Sequence, residues 1–136
     1  MTFTDAVSAC FRKYVDFEGR APRSEFWFFR LFVALSLLGV FLLMALVAGI
    51  TPDNEGGIQG VLFGVLFLAL ILGTFLPDLA VTVRRLHDRD YSGWWILIAF
   101  VPFGGLVLLI WFCTRGTEGE NRFGPDPLAV RPAAFP

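Results

Sequence analysis

The stretch LFVALSLLGVFLLMALVAGITP, Leu31 to Pro52, decides the fold. It carries no charged residue, and its length is what an α-helix needs to cross roughly 30 Å of hydrocarbon at about 1.5 Å per residue. Its apolar residues run continuously instead of alternating, which excludes a membrane barrel strand, and in lipid only helices and closed barrels satisfy their own backbone. Two more charge-free stretches follow, Gly56 to Pro77 and Tyr91 to Thr114. The expected fold is all-α, an integral membrane helical bundle with three membrane segments. The third is kinked or re-entrant, because Pro102, Gly104 and Gly105 interrupt its centre. A kinked crossing is the plainer reading, since each half holds only about eight residues and cannot span alone.

Composition points the same way. Of 136 residues, 56% are hydrophobic and 17% charged, with a mean hydropathy of +0.67, against roughly 45–50% and 25% in soluble domains. A single small domain has too little interior to hide so much apolar surface from water. The net charge of −1 supplies no basic field for nucleic acid. Cys10 and Cys113 lack the spacing of a zinc site or a disulfide framework, and no cofactor motif such as a phosphate-binding glycine loop followed by Lys is present, so neither metal nor cofactor is expected. The first apolar run is too long and too mixed in its flanking charge for a signal peptide and is read as a retained anchor.

The whole chain, 1–136, reads as one membrane domain. Within 1–23, Ala6, Val7, Cys10, Phe11, Tyr14 and Val15 recur at helical spacing with Asp5, Arg12, Lys13 and Asp16 between them, an N-terminal amphipathic helix on the membrane surface followed by a turn at Gly19. Residues 24–127 form the bundle and a tail motif, and 128–136 a flexible tail. Pro22, Ser24 and Glu25 suit a helix start, and Phe26 to Phe29 an interfacial aromatic belt. Gly56, Gly60 and Gly64 repeat every four residues, a smooth face along which a helix of the same chain or of a second copy packs closely.

Basic residues orient the chain. Arg12, Lys13, Arg20, Arg23 and Arg30 precede or enter the first span, residues 51–55 have none, and Arg84, Arg85 and Arg89 follow the second. The N-terminus and the 84–90 loop are therefore expected in the cytoplasm. Arg115, Arg122 and Arg131 leave the side of the tail open.

Three polar motifs stand in order along the chain: Phe17-Glu18-Gly19-Arg20-Ala21-Pro22-Arg23-Ser24-Glu25-Phe26-Trp27; then Arg84-Arg85-Leu86-His87-Asp88 with Ser92-Gly93-Trp94-Trp95; then Gly116-Thr117-Glu118-Gly119-Glu120-Asn121-Arg122-Phe123-Gly124-Pro125-Asp126-Pro127. Together they resemble the small bacterial inner-membrane proteins of the domain-of-unknown-function 805 family. The resemblance covers nearly the whole chain and implies a multi-span protein of the cytoplasmic membrane with no assigned activity. Arg30 and Asp78 depart from that pattern, standing where uncharged residues are more usual. Both lie some five or six residues inside the cytoplasmic ends of their helices, about 8–9 Å deep. An ion pair between the first two helices is one reading; the other is that Arg30 snorkels while Asp78 caps a helix broken at Pro77.

Arg84, Arg85, His87 and Asp88 are the densest polar group. Arg84 and Asp88 are four apart and suited to pair on a helix. One His beside one Asp is too few ligands for zinc and has no nucleophile placed with it, so no catalytic residue is assigned, although His87 is the sole candidate for an imidazole base. The bland reading is a solvated positive loop. The sharper one is a cytoplasmic face of Arg20, Arg23, Arg84, Arg85 and Arg89, oriented by Glu25 and Asp88, that binds anionic lipid head groups or a membrane protein partner. Asn121, Gly124 and Asp126 belong to a turn-rich tail motif, which joins the other two motifs only if the third segment turns back near Pro102. The function expected is that of a non-enzymatic, self-associating scaffold or interaction protein. A small transporter or channel subunit, with Arg30 and Asp78 lining its path, is the alternative; a membrane enzyme stands third.

Overall fold

The computed structural model describes residues 1–50 and 56–129. Its helices are α1 (Phe3–Arg12), α2 (Arg23–Ile50), α3 (Gly56–His87), a 3-10 helix (Gly93–Phe100) and α4 (Gly104–Cys113). Among the described residues there is no strand, only an isolated bridge between Asn121 and Gly124.

Thr2 starts α1 with a capping box: its side chain accepts from the Asp5 amide while the Asp5 carboxylate accepts from its own. The helix ends at Arg12, so Tyr14 and Val15 of the expected apolar pattern fall beyond it. Its buried residues, Ala6 and Cys10, are small, which lets α1 lie close on α2, with Phe3 edge-on to Phe28 and Phe11 edge-on to Phe29 and Phe32.

Two helices, α2 and α3, are long and apolar enough to cross a membrane. With 28 and 32 residues they measure about 42 and 48 Å at about 1.5 Å per residue. Pro77 does not break α3, which runs ten residues past it to His87. Proline lacks the amide that would bond the Gly73 carbonyl, and the Tyr14 hydroxyl donates to that carbonyl instead, at 2.9 Å. A residue of the N-terminal segment thus satisfies a carbonyl that the α3 sequence orphans.

The third apolar stretch is not one helix. Ser92 caps the 3-10 helix, the chain turns at 101–103 with Phe103 at a left-handed φ of 65°, and α4 returns alongside. Tyr91 stacks on Trp111 with centroids 4.2 Å apart, and Trp95 meets the same ring edge-on. This corrects the kinked crossing. Eight residues of 3-10 helix and ten of α-helix give arms of about 16 and 15 Å, half the hydrocarbon thickness. Gly104 permits the fold, because a Cβ there would lie 1.7 Å from the Ile98 carbonyl oxygen.

The protein core sits at one end of the long helices. Phe26 and Phe29 of α2, Val81 and Leu86 of α3, Cys10, Ala21, and Leu108 and Phe112 of α4 form it. Beyond this end α2 and α3 expose Leu, Ile and Phe side chains along their length, Ile58 being 76% accessible. So continuous an apolar surface is suited to lipid. Gly60 and Gly64 lie on it with nothing within 4 Å of where a Cβ would stand, so the expected close packing within the chain does not occur there. The packing of Gly56 and the tail beyond residue 129 lie outside the described residues.

Candidate functional site

Asp88, one residue past α3, is the centre of the polar end. Its Oδ1 accepts from Arg20 Nε at 3.0 Å and its Oδ2 from Arg85 Nη1, all three side chains being buried. Arg20 continues to the tail, donating to the carbonyls of Thr117 at 2.5 Å and Gly119 at 2.6 Å. The tail in turn binds Asp88, whose carbonyl accepts from the Thr117 amide at 2.8 Å. Gly116 makes the approach possible, since a Cβ there would lie 2.1 Å from Asp88 Oδ2.

Arg84 does not pair with Asp88. Its Nη1 donates instead to Glu25 Oε1 at 2.6 Å, both groups buried. The Cys10 thiol donates to the same oxygen at 3.9 Å; burial, then the Glu25 charge, pushes that thiol up to about 12. Glu25 is thus an internal ion-pair partner besides lying in the first turn of α2.

A third group of contacts closes the end of α4. A helix leaves its last carbonyls without partners. Here guanidinium groups meet them: Arg85 donates to the Phe112 and Thr114 carbonyls, Arg23 to Cys113 at 3.2 Å, and Arg89 to the Thr114 hydroxyl and the Arg115 carbonyl. Positive charge is favourable at this end of the helix dipole.

His87 is enclosed as well. Its Nδ1 lies 3.1 Å from the Gly19 carbonyl, which can only accept, so Nδ1 carries the proton. The ring stacks on Phe123 at 3.9 Å and 2°. Asn121 Nδ2 donates to the His87 carbonyl and to Thr117 Oγ1, each at 2.9 Å, while the Gly124 carbonyl receives Arg20 Nη1 at 3.4 Å. Asp126 accepts from the Leu128 and Gly119 amides, and these bonds, the Leu128 one foremost, hold its carboxyl below the ordinary value.

Arg20, Arg84, Arg85, Glu25, His87 and Asp88 are therefore brought together, but not as an exposed binding face. The expected lipid-facing role for Arg20, Arg84 and Arg85 is corrected: all three are buried, and the bonds they make run inward to carboxylates and carbonyls, with Arg84 Nε and Nη2 and Arg85 Nε enclosed without a hydrogen-bond partner. Nor are 84–87 a solvated loop, since they form the last turn of α3. Arg23 remains exposed and Arg89 partly so. Apart from this cluster, Arg30 Nη2 lies 3.2 Å from Asp78 Oδ2 and from Thr82 Oγ1, at the level where the charge-free runs of α2 and α3 begin and end. The α4 cap and the bond from Tyr14 had no local signature; only Pro77 marked an orphaned carbonyl, and nothing in its surroundings named the donor.

Two long lipid-suited helices and a polar cap built from three separated motifs define a helical membrane protein. The model of a family described as protein of unknown function (DUF805) matches residues 14–125, and the chain belongs to that family. It is 45% identical over 119 residues to the inner membrane protein YhaI of Escherichia coli K12, covering 85% of this chain and 89% of that one. To the inner membrane protein YhaH of the same organism it is 42% identical, over 85% of this chain and 90% of the relative. The uncharacterized protein YiiR is 31% identical over 85% and 88%. No solved structure matches.

Proposed function

We propose that the chain is a non-enzymatic interaction protein of the bacterial inner membrane that crosses the bilayer twice. Its hairpin of 3-10 helix and α4 enters from the cytoplasmic side and returns, α1 lies along the interface, and both termini are cytoplasmic. The observation that carries this is Arg20, which binds Asp88 and the tail carbonyls at once. Residues joined by hydrogen bonds share one side of a membrane, and the density of Arg around 20–30 and 84–89 favours the cytoplasm. The commitment of His87 and Asp88 to internal contacts supports a structural role for both.

Engagement of lipid or a protein partner then falls to the exposed rim and the lipid-facing helices. Self-association uses the open groove beside Gly60 and Gly64, walled by Val40, Phe41, Met44, Phe63 and Phe67. A Gly64→Leu variant with unchanged subunit stoichiometry in single-molecule photobleaching rules that face out. The topology is tested by a paired reporter fused after Pro136. A signal from the cytoplasmic reporter is expected, whereas an external signal rejects the two-crossing arrangement. Proteoliposome flux that Asp78→Asn abolishes would replace the interaction role with transport.

A further inference from the structure

A groove of about 340 Å³ runs between α2 and the hairpin, with Phe26, Trp27, Arg30, Thr82, Leu108 and Leu109 among its lining. Its walls are apolar except where Arg30 and Thr82 enter. The Arg30 side chain is 43% accessible although Nη2 is bonded to Asp78 and Thr82, and its guanidinium carbon lies 4.8 Å from the centre of the Phe26 ring. Arg23 stands seven residues earlier on α2, two turns and about 10 Å nearer the cytoplasm, with Trp27 between them. Arg23 is exposed, donates to a neutral carbonyl, and among the described residues forms no ion pair. Arg30 and Asp78 cancel, whereas Arg23, bonded to the carbonyl of Cys113 next to the groove-lining Phe112, adds uncompensated positive charge beside that end of the groove.

We propose that this groove holds an acyl chain of one anionic phospholipid whose phosphate sits between Arg23 and Arg30, an inference that rests on the membrane placement proposed above. Arg30 is the last charge before the uninterrupted apolar run from Leu31 to Ile50, so it marks the boundary of the hydrocarbon, where head-group phosphates lie. Charge complementarity selects the head: the exposed guanidinium of Arg23, which has no carboxylate partner among the described residues, against an anionic phosphodiester. The lining selects the tail: apart from Arg30 and Thr82 the walls are apolar, and a flexible hydrocarbon chain follows a narrow apolar groove of this kind. The buried arginines of the cap hold the end of α4, and with it one wall of the groove, in place.

The full chain is to be analysed by native mass spectrometry after extraction from nanodiscs of equal phosphatidylglycerol and phosphatidylcholine with matched acyl chains. A retained phosphatidylglycerol favoured about tenfold is expected, because both lipids offer the phosphate but the choline cation of phosphatidylcholine is repelled by the exposed arginines, and tenfold corresponds to about 1.4 kcal/mol. Arg23→Gln with Arg30→Gln and Asp78→Asn, which leaves no unpaired carboxylate, brings the ratio close to one. Leu109→Trp, with all charges kept, removes both lipids by filling the groove. Millimolar inorganic phosphate leaves the retained lipid in place. An unchanged preference in the charge variant overturns the proposal, as does unchanged retention in Leu109→Trp, complete displacement by phosphate, or a Leu109→Trp effect confined to a dimer peak. The measurement does not depend on which side the tail occupies, so it fails separately from the topology test.

Discussion

Asp88 is the one carboxylate shared by two buried guanidiniums, so its replacement leaves both without an ionic partner. Breaking a buried pair from one side costs about 3–5 kcal/mol, and Asp88→Ala is expected to lower stability by that order, read as a fall in the thermal unfolding midpoint in detergent. An unchanged midpoint would mean that water reaches Arg20 and Arg85. Cys10 makes a second residue-scale prediction. With its thiol pushed up to about 12, only roughly one molecule in a thousand carries the thiolate at pH 9. In a Cys113→Ser background Cys10 is therefore expected to resist maleimide at both pH 7 and pH 9 and to label only after unfolding. Labelling that rises steeply between those values would place the thiol near its ordinary range.

The elements are held by contacts that none of them supplies for itself. In α3, proline removes the donor for the Gly73 carbonyl and Tyr14 replaces it. Tyr14→Phe is expected to lose about 1 kcal/mol, the net worth of one hydrogen bond. In a Pro77→Ala background the helix regains its own amide donor, so the same substitution should cost much less; equal losses in the two backgrounds would sever the link. In the hairpin, the 3-10 arm depends on Ser92 and the αα turn on Gly104, while α4 depends on arginines from α2 and α3 to meet its terminal carbonyls. A helix of ten residues is marginal alone, which is why its end is closed from outside.

For the whole molecule, the consequence is that tail, hairpin and α3 stand or fall together at the polar end. Arg20→Ala removes bonds to Asp88, Thr117, Gly119 and Gly124 in one step. Limited proteolysis should then cut within 115–129 at protease concentrations that spare the wild-type chain, with α2 and α3 still intact. Cleavage at equal rates in both proteins would show that the tail docks without Arg20. The long helices carry little of this interdependence, because their apolar side chains are exposed along most of their length and the core is confined to one end.

The all-helical membrane class, two of the apolar segments and the family were legible in the sequence, since continuous charge-free runs of spanning length have few physical solutions and the three motifs keep their order and intervals. The meeting of Arg30 with Asp78 was readable as one of two alternatives because charges at matched depth in an apolar setting have few partners. What only the tertiary structure decided is where each arginine points. Composition makes Arg20, Arg84 and Arg85 a positive surface, but the turn from one residue of α3 to the next sends Arg84 to Glu25 of α2 and Arg85 to Asp88 and the carbonyls at the end of the returning hairpin. The third segment likewise held two outcomes, kink or return. The choice rests on contacts from distant residues: Gly104 against Ile98, Trp111 against Tyr91, and the guanidiniums that satisfy the carbonyls at the end of α4.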